Sequence, residues 1–223
     1  MEVALHLQML AAHPMLPPSH AAFLRRLRDE FQAYPRVIYD IGACVLHWTT
    51  EAKKVWPDAT VYLADGFQEA EPVWKAAGHE YSTALLSDSE KVVRFYVNPT
   101  SPGGNSYYRE IGAFESKEFF PESSGRWVRT TTLDAVRTAK GWPFPDLIKL
   151  DVQGAELDIY KGAKETLHSC EYLIVELQHR QYNEGAPLAP QVIEVLKQDG
   201  WELIAPFFSL TDYDADYCFR RRR

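Results

Sequence analysis

The most constraining feature of this 223-residue sequence is the regular alternation of short apolar runs with longer mixed segments. Runs at 37–41, 60–64, 147–152 and 172–177 are largely apolar along their whole length and are separated by stretches long enough to form helices. Strands of this kind are buried on both faces, as in a parallel sheet covered by helices. The pattern predicts an α/β domain with a doubly wound, mostly parallel sheet.

The last two apolar runs, 201–207 and 216–220, follow each other with only a short connection. A parallel crossover needs a dozen or more residues, so two strands joined this tightly have to be antiparallel. We therefore expect a seven-stranded sheet that ends in an antiparallel hairpin. The run Arg220–Arg223 is expected to form a solvated tail after the last strand.

Three segments suggest how the rest of the chain is organised. Prolines 14, 17 and 18 set off an apolar N-terminal segment, which predicts a helical extension over residues 1–18 and one domain over residues 19–223. Residues 98–125 contain three prolines and an adjacent pair of glycines. A loop of this length usually forms a lid or a binding segment. Segment 154–167 has apolar residues at four-residue spacing, which predicts a single helix.

Composition narrows the classes of function. The net charge of −7 argues against nucleic acid as a partner. No apolar stretch is long enough for a membrane span, and the N-terminal segment lacks the basic residues of a secretion signal. The three cysteines are far apart without zinc-ligand spacing, which favours free thiols in a cytoplasmic protein. Nothing in the sequence indicates an oligomeric state.

The ends of the first two strands carry residues suited to a cofactor. Open α/β sheets bind ligands at the carboxyl ends of their strands. Gly42 lets the backbone approach a ligand closely, and Asp40 can orient an ammonium group. Asp65, about 20 residues after the glycine turn, can accept hydrogen bonds from ribose hydroxyls. Together with Ala43 and Gly66, these residues predict a nucleoside site.

Five short motifs resemble the FkbM-type methyltransferases. They are DIGA at 40–43, TTLD at 131–134, IKLDVQGAE at 148–156, YKGA at 160–163 and LIVE at 173–176. The resemblance implies a class I methyltransferase with a Rossmann-like fold and S-adenosylmethionine as cofactor. It also implies a hydroxyl acceptor on a sugar or another small molecule.

Two positions depart from the family pattern. Cys44 and Leu46 stand where the family commonly has asparagine and glycine. A leucine enters the left-handed backbone region only with strain, so we expect a differently shaped turn or a Leu46 side chain that points into the core. The second strand ends in Asp65–Gly66 where the family usually has Glu-Pro, and the shorter acid can still bind a ribose.

Four residues are candidates for catalysis. Asp151 ends the most apolar strand and is expected at the floor of the cleft, as base or acceptor anchor. Glu156 opens the following helix, where it can act in the site or stabilise the helix terminus. Lys149 lies on the same strand face as Asp151 and needs an acidic partner, either Asp151 or Glu176. His179 can take a proton from the acceptor or lie exposed on a loop.

Other side chains are candidates for contacts with ligands. The loop residues Asn105, Ser106, Tyr107 and Tyr108 are expected to contact the acceptor, as is Glu176. Ser87 and Asp88 follow a predicted third strand at 81–86 and either meet the adenine or form a plain turn. Asp151 and Glu176 can alternatively hold Mg²⁺, although we expect no metal.

Two other functions remain open at this stage. A nicotinamide-dependent oxidoreductase shares the glycine turn and the ribose acid, but Cys44 and His47 occupy the later glycine positions of Gly-x-Gly-x-x-Gly. A binding module for cofactor or glycan that has lost its catalytic turn is also possible because of Leu46. Binding of S-adenosylhomocysteine, of NADH, or of neither separates the three functions.

Overall fold

The computed structural model describes residues 2–13, 18–112, 119–208 and 212–222. None of the helices in these ranges is long and apolar enough to cross a membrane. The helices are α1 (Glu2–Ala12), α2 (Pro18–Phe31), α3 (His47–Val55), α4 (Glu71–Ala77), α5 (Leu133–Lys140), α6 (Glu156–Lys161), α7 (Lys164–His168) and α8 (Ala189–Gln198). The strands are β1 (Val37–Ile41), β2 (Thr60–Ala64), β3 (Glu80–Ser82), β4 (Val92–Tyr96), β5 (Gly125–Arg129), β6 (Leu147–Leu150), β7 (Tyr172–Gln178), β8 (Trp201–Phe208) and β9 (Asp214–Arg221).

Seven strands form one sheet in the order β3-β2-β1-β6-β7-β9-β8. The first five are parallel, and β9 pairs antiparallel with both β7 and β8. This arrangement confirms the predicted Rossmann-like sheet with its C-terminal hairpin. Strands β4 and β5 form a separate antiparallel hairpin. Strand order reverses at β1, which lies between β2 and β6, and a ligand crevice is expected there.

The sheet is covered by helices on both faces. Alternate residues of each strand enter different cores: Ile38 and Leu147 pack with the N-terminal helices, while Tyr39 and Ile148 pack with the C-terminal ones. Each large side chain buried in this way contributes about 1.5–3 kcal/mol. Packing in these two cores fixes the strands relative to one another, and so fixes the positions of their carboxyl ends.

Helix α1 packs on the rest of the molecule. Leu7 is fully buried, and Nε2 of His47 lies 2.8 Å from the carbonyl oxygen of Leu10. The apolar character of this segment therefore reflects contact with the domain surface. A boundary between an extension and the domain near residue 18 stays a prediction.

The TTLD motif stabilises two helices. The hydroxyl of Thr132 accepts the backbone N–H of Ala135 and caps α5. The carboxylate of Asp134 accepts the N–H groups of Glu165 and Thr166 at the start of α7. The predicted single helix over 154–167 is therefore wrong, because α7 begins anew after a break at Gly162. A Cβ atom at Gly162 would lie 2.2 Å from the carbonyl oxygen of Ser87.

Only part of the run Arg220–Arg223 is a solvated tail: Arg220 and Arg221 belong to β9, and Arg222, after the strand, is exposed. Arg220 is paired with Glu171 at 2.8 Å. Arg221 donates to the carbonyl oxygen of Leu167 and stacks 4.3 Å from the ring centre of Trp201. Strand β9 continues to Arg221, so both side chains are held against the domain; Arg223 lies outside the described residues.

Candidate active site

The carboxyl ends of β1, β2 and β6 open into one cavity, which we call the main cleft. Asp65 and Asp151 both line it, on either side of the loop that follows β1. The other lining residues include Gly42, Cys44, Gly66, Leu85, Leu86, Phe95, Pro102, Gly103, Asn105, Ser106, Tyr107 and Gln153.

Gly42 brings the loop after β1 against the tip of β6. Its φ is +87°, and a Cβ atom there would lie 1.7 Å from the carbonyl oxygen of Asp151. No larger residue fits between these two strand ends. Gly42 thus lies close to the neighbouring strand of the same chain and also lines the main cleft; its close approach to a ligand stays a prediction.

Leu46 keeps the left-handed turn that the family pattern requires. Its φ is 71° and its ψ is 18°, and Cys44 also has a positive φ of 44°. The side chain of Leu46 is 6% exposed and packs in the core. This confirms the expectation that Leu46 points into the core. The expectation of a differently shaped turn is wrong. Core packing compensates the backbone cost, which is about 1–2 kcal/mol for a residue with a side chain.

Asp65 organises the same loop. Its two carboxylate oxygens accept the N–H groups of Cys44 and Phe67, each at 2.8 Å. Burial raises the pKa of Asp65 above its ordinary value, and the two amide bonds oppose that shift. A carboxylate oxygen has two lone pairs, so each can accept a further hydrogen bond from a ligand hydroxyl.

Asp40 lies beneath the loop and not among the residues that line the main cleft. It is almost fully buried, and its Oδ2 accepts a hydrogen bond from the hydroxyl of Thr49. Burial raises the pKa of Asp40 to about 7. A contact between Asp40 and a ligand ammonium group stays a prediction.

Lys149 links the floor of the cleft to the last strand. Its Nζ lies 2.7 Å from Oδ1 of Asp216 and 3.3 Å from Oδ2 of Asp151. Burial alone would lower the pKa of Lys149, but the carboxylates of Asp151, Asp216 and Glu176 raise it, so the ammonium group stays charged. Nε2 of His20 lies 3.5 Å from the second oxygen of Asp216.

Asp216 was missed by the sequence analysis as the main partner of Lys149. Asp151 is the second partner, as predicted, and Glu176 contributes only through its charge. Asp216 is paired with Glu176 across β7 and β9. The signal in the sequence that could have identified Asp216 is an acidic residue within the last predicted strand. The antiparallel register of β7 and β9 brings this residue to Lys149.

Gln153 is a second residue that the sequence analysis missed. Its φ is +54°, a strained value for a residue with a side chain. Its Nε2 donates to Oε2 of Glu176 at 2.6 Å and to Oδ1 of Asp151 at 3.1 Å. Burial and the charge of Asp151 raise the pKa of Glu176 well above its ordinary value. Gln153 therefore holds two carboxyl groups together at the mouth of the cleft.

Glu156 and His179 face away from the main cleft. Oε1 of Glu156 accepts the N–H groups of Val152 and Gly154, and burial raises its pKa to about 7. This contact stabilises the loop that leads into α6, which was one of the two roles expected. Nε2 of His179 lies 2.9 Å from the hydroxyl of Tyr217.

The long loop forms a roof over the main cleft. Asn105, Ser106 and Tyr107 line it together with Asp65. The hydroxyls of Tyr107 and Tyr108 both donate to Asp158, which fixes these rings to α6. Residues 113–118 of the predicted lid lie outside the described residues.

Two candidates for the adenine contact, Ser87 and Asp88, lie outside the main cleft. Ser87 is fully buried, and its hydroxyl lies 3.1 Å from that of Tyr107. Asp88 is paired with Lys91 at 2.9 Å. Leu85 and Leu86, which precede them, line the cleft instead. Among the residues the structure describes, no group of three His, Cys, Asp or Glu side chains is arranged to hold a metal ion.

Comparisons with known proteins identify a methyltransferase family. Residues 40–203 match the family model described as the methyltransferase FkbM domain. Among curated proteins, 80 residues are 35% identical to the 2-O-methyltransferase NoeI of Sinorhizobium fredii, which is 36% of this chain and 32% of NoeI. The matched segment therefore spans about a third of that relative.

Solved structures share the fold at low sequence identity. The N-methyltransferase NodS of Bradyrhizobium japonicum, in complex with S-adenosylhomocysteine, has a TM-score of 0.53 at 11% identity and covers all of both chains. An O-methyltransferase of Bacillus cereus, also in complex with S-adenosylhomocysteine, has a TM-score of 0.53 at 12% identity, covering 99% of this chain and 91% of that one.

Proposed function

Because the chain belongs to the FkbM methyltransferase family, we propose that it transfers a methyl group from S-adenosylmethionine to a hydroxyl of a sugar or another small-molecule acceptor. The observation that carries this proposal is the placement of Asp65 and Asp151 on opposite sides of one cleft, around the Gly42 turn. Family membership in a methyltransferase domain argues against the oxidoreductase alternative. The left-handed turn retained at Leu46 argues against a module that has lost the turn.

The residues of the main cleft fit the proposed cofactor. Asp65 can accept hydrogen bonds from ribose hydroxyls, and Leu85 and Leu86 offer an apolar wall for a purine. The Nδ2 of Asn105 is buried without a hydrogen-bond partner, and this costs free energy until a ligand satisfies it. The carboxylates around the cleft also favour a ligand with positive charge.

Residues of this chain can position the acceptor and take its proton. Bound S-adenosylmethionine would supply an electrophilic methyl carbon, so the protein has to align the acceptor and exclude water. Asp151 would accept the proton that the acceptor hydroxyl loses, and the neutral thioether S-adenosylhomocysteine would be the leaving group. Lys149 fixes the carboxylate of Asp151 through Oδ2, and Gln153 fixes it through Oδ1. A similarity to a 2-O-methyltransferase supports oxygen as the acceptor atom.

The experiment is calorimetric binding of S-adenosylhomocysteine to the wild type and to Asp65→Ala. Loss of a charge-assisted ribose contact is expected to weaken binding at least tenfold, or about 1.4 kcal/mol. Asp88→Ala is the matched control, because it removes a carboxylate near the next strand tip that does not line the cleft. Equal affinity of wild type and Asp65→Ala would show that Asp65 is not the ribose acid. Binding of NADH without S-adenosylhomocysteine would overturn the proposed function.

A further inference from the structure

A second cavity, which we call the outer cavity, adjoins the main cleft. Its volume is about 400 Å³, and four of its lining residues also line the main cleft. These shared residues are Cys44, Pro102, Gly103 and Gln153. Gln153 is the residue that binds Asp151, so the outer cavity reaches the point where the proposed methyl transfer takes place.

We propose that the outer cavity binds the methyl acceptor and that it selects an uncharged, polyhydroxylated ring over an anionic one. This inference rests on the proposed function and assigns the acceptor half of the same site. The residues that support it are Leu10, Glu110, Phe119, Tyr182, Tyr213 and Asp214.

The walls of the outer cavity combine aromatic rings with carboxylates. The rings of Tyr182 and Tyr213 meet edge to face, with their centres 6.4 Å apart. The hydroxyl of Tyr182 donates to Oδ2 of Asp214 at 3.0 Å, which fixes both side chains. Aromatic rings offer flat apolar surface for the C–H face of a sugar ring, and carboxylate oxygens accept hydrogen bonds from its hydroxyls.

The charge of the walls disfavours an anionic acceptor. Among the described residues that line the outer cavity, Glu110 and Asp214 are acidic, and His47 is the one basic side chain. The buried ammonium group of Lys149 is engaged by Asp151 and Asp216 and does not line the outer cavity. A carboxylate or phosphate on the acceptor would share the cavity with the carboxylates of Glu110 and Asp214, and like charges in a binding site weaken binding.

The outer cavity extends beyond the family match, whereas the main cleft does not. Every residue that lines the main cleft lies between Ile41 and Ile159, inside residues 40–203. Most residues of the outer cavity also lie inside that range, but it takes Leu10 from α1, and Tyr213 and Asp214 from the region where β9 begins. The proposed cofactor cleft thus lies within the family match, while the proposed acceptor cavity adds three residues from outside it.

The test uses the full chain loaded with S-adenosylhomocysteine. The neutral probes are methyl glycosides of hexoses and 6-deoxyhexoses, and the anionic probe is the methyl glycoside of glucuronic acid. Binding of each probe is measured by saturation-transfer NMR and by titration. We expect neutral glycosides to bind and the uronate to bind at least about tenfold more weakly. Tyr213→Ala is expected to weaken the binding of neutral glycosides about tenfold and to leave the affinity for S-adenosylhomocysteine unchanged.

Trp127→Ala is the matched control. Trp127 is 74% exposed on β5, so its removal deletes an aromatic ring without touching the outer cavity. Tyr182→Phe is a second variant that keeps the ring but removes the hydroxyl that binds Asp214. Absence of binding by every neutral glycoside, tighter binding of the uronate, or equal effects of Tyr213→Ala and Trp127→Ala would overturn the inference. Failure to load S-adenosylhomocysteine at all would instead count against the proposed function.

Discussion

The contact between Gly42 and Asp151 makes a sharp prediction for the substitution Gly42→Ala. The added Cβ would lie 1.7 Å from the carbonyl oxygen of Asp151, whereas Cβ atoms essentially never come within 3.0 Å of another heavy atom. The tips of β1 and β6 therefore have to separate by about 1.3 Å. Overpacking of this kind costs about 1–3 kcal/mol, and a left-handed alanine costs about 1–2 kcal/mol more.

The matched control separates these two costs. Gly78, at the end of α4, has a φ of +75°, and a Cβ there would meet no atom within 4 Å. Gly78→Ala is therefore expected to show the backbone cost alone. Urea unfolding should place the free energy of unfolding of Gly42→Ala about 1–3 kcal/mol below that of Gly78→Ala.

Ligand binding gives the second measurement. Because the displaced strand tips form the main cleft, Gly42→Ala is expected to weaken the binding of S-adenosylhomocysteine at least tenfold, or about 1.4 kcal/mol. The measurement is made under conditions where the variant remains folded. Gly78→Ala should bind as the wild type does. If Gly42→Ala binds normally and unfolds like Gly78→Ala, then the contact with Asp151 does not set the shape of the cleft.

Two further predictions concern the buried ionisable groups Lys149 and Asp40. Lys149→Met leaves the buried Asp216 without its cation and is expected to lower the free energy of unfolding by about 3–5 kcal/mol. Lys91→Met, which breaks an exposed pair with Asp88, should cost less than about 1 kcal/mol in the same urea titration. Asp40, with its pKa raised to about 7 by burial, binds a proton in the folded state that the unfolded chain releases near its ordinary value of 3.8. Its contribution to stability therefore falls as pH rises from about 4 to about 7, and Asp40→Asn should flatten that fall; an unchanged slope would contradict the assignment.

Local sequence pattern was enough to predict the architecture. Apolar runs such as 147–152 predict buried strands because a strand covered on both faces has no polar side, and the short connection after 201–207 permits only an antiparallel partner. The segment 154–167 shows the limit of this reasoning. Its periodicity is helical throughout, but the chain forms two helices, and the carboxylate of Asp134, from a distant segment, accepts the first N–H groups of the second one.

The candidate site was predictable only in part. Asp65, Gly42 and Asp151 follow apolar strands, and parallel strands bring their carboxyl ends to one edge of the sheet, so these residues could be placed together from sequence. Glu156 lies in an equally suggestive motif, but its carboxylate faces the backbone amides of Val152 and Gly154. Side-chain direction at a loop depends on backbone dihedrals that no short motif specifies.

The sequence by itself determined which segments become strands and helices and which strand ends carry carboxylates, because those properties depend on neighbours within a few residues. Only the tertiary structure decided that Lys149 meets Asp216, that Gly42 meets the carbonyl of Asp151, and that α1 reaches the outer cavity. These contacts join residues far apart in the chain. Their distances are set by the register of the sheet and the packing of both cores, which act on the whole domain at once.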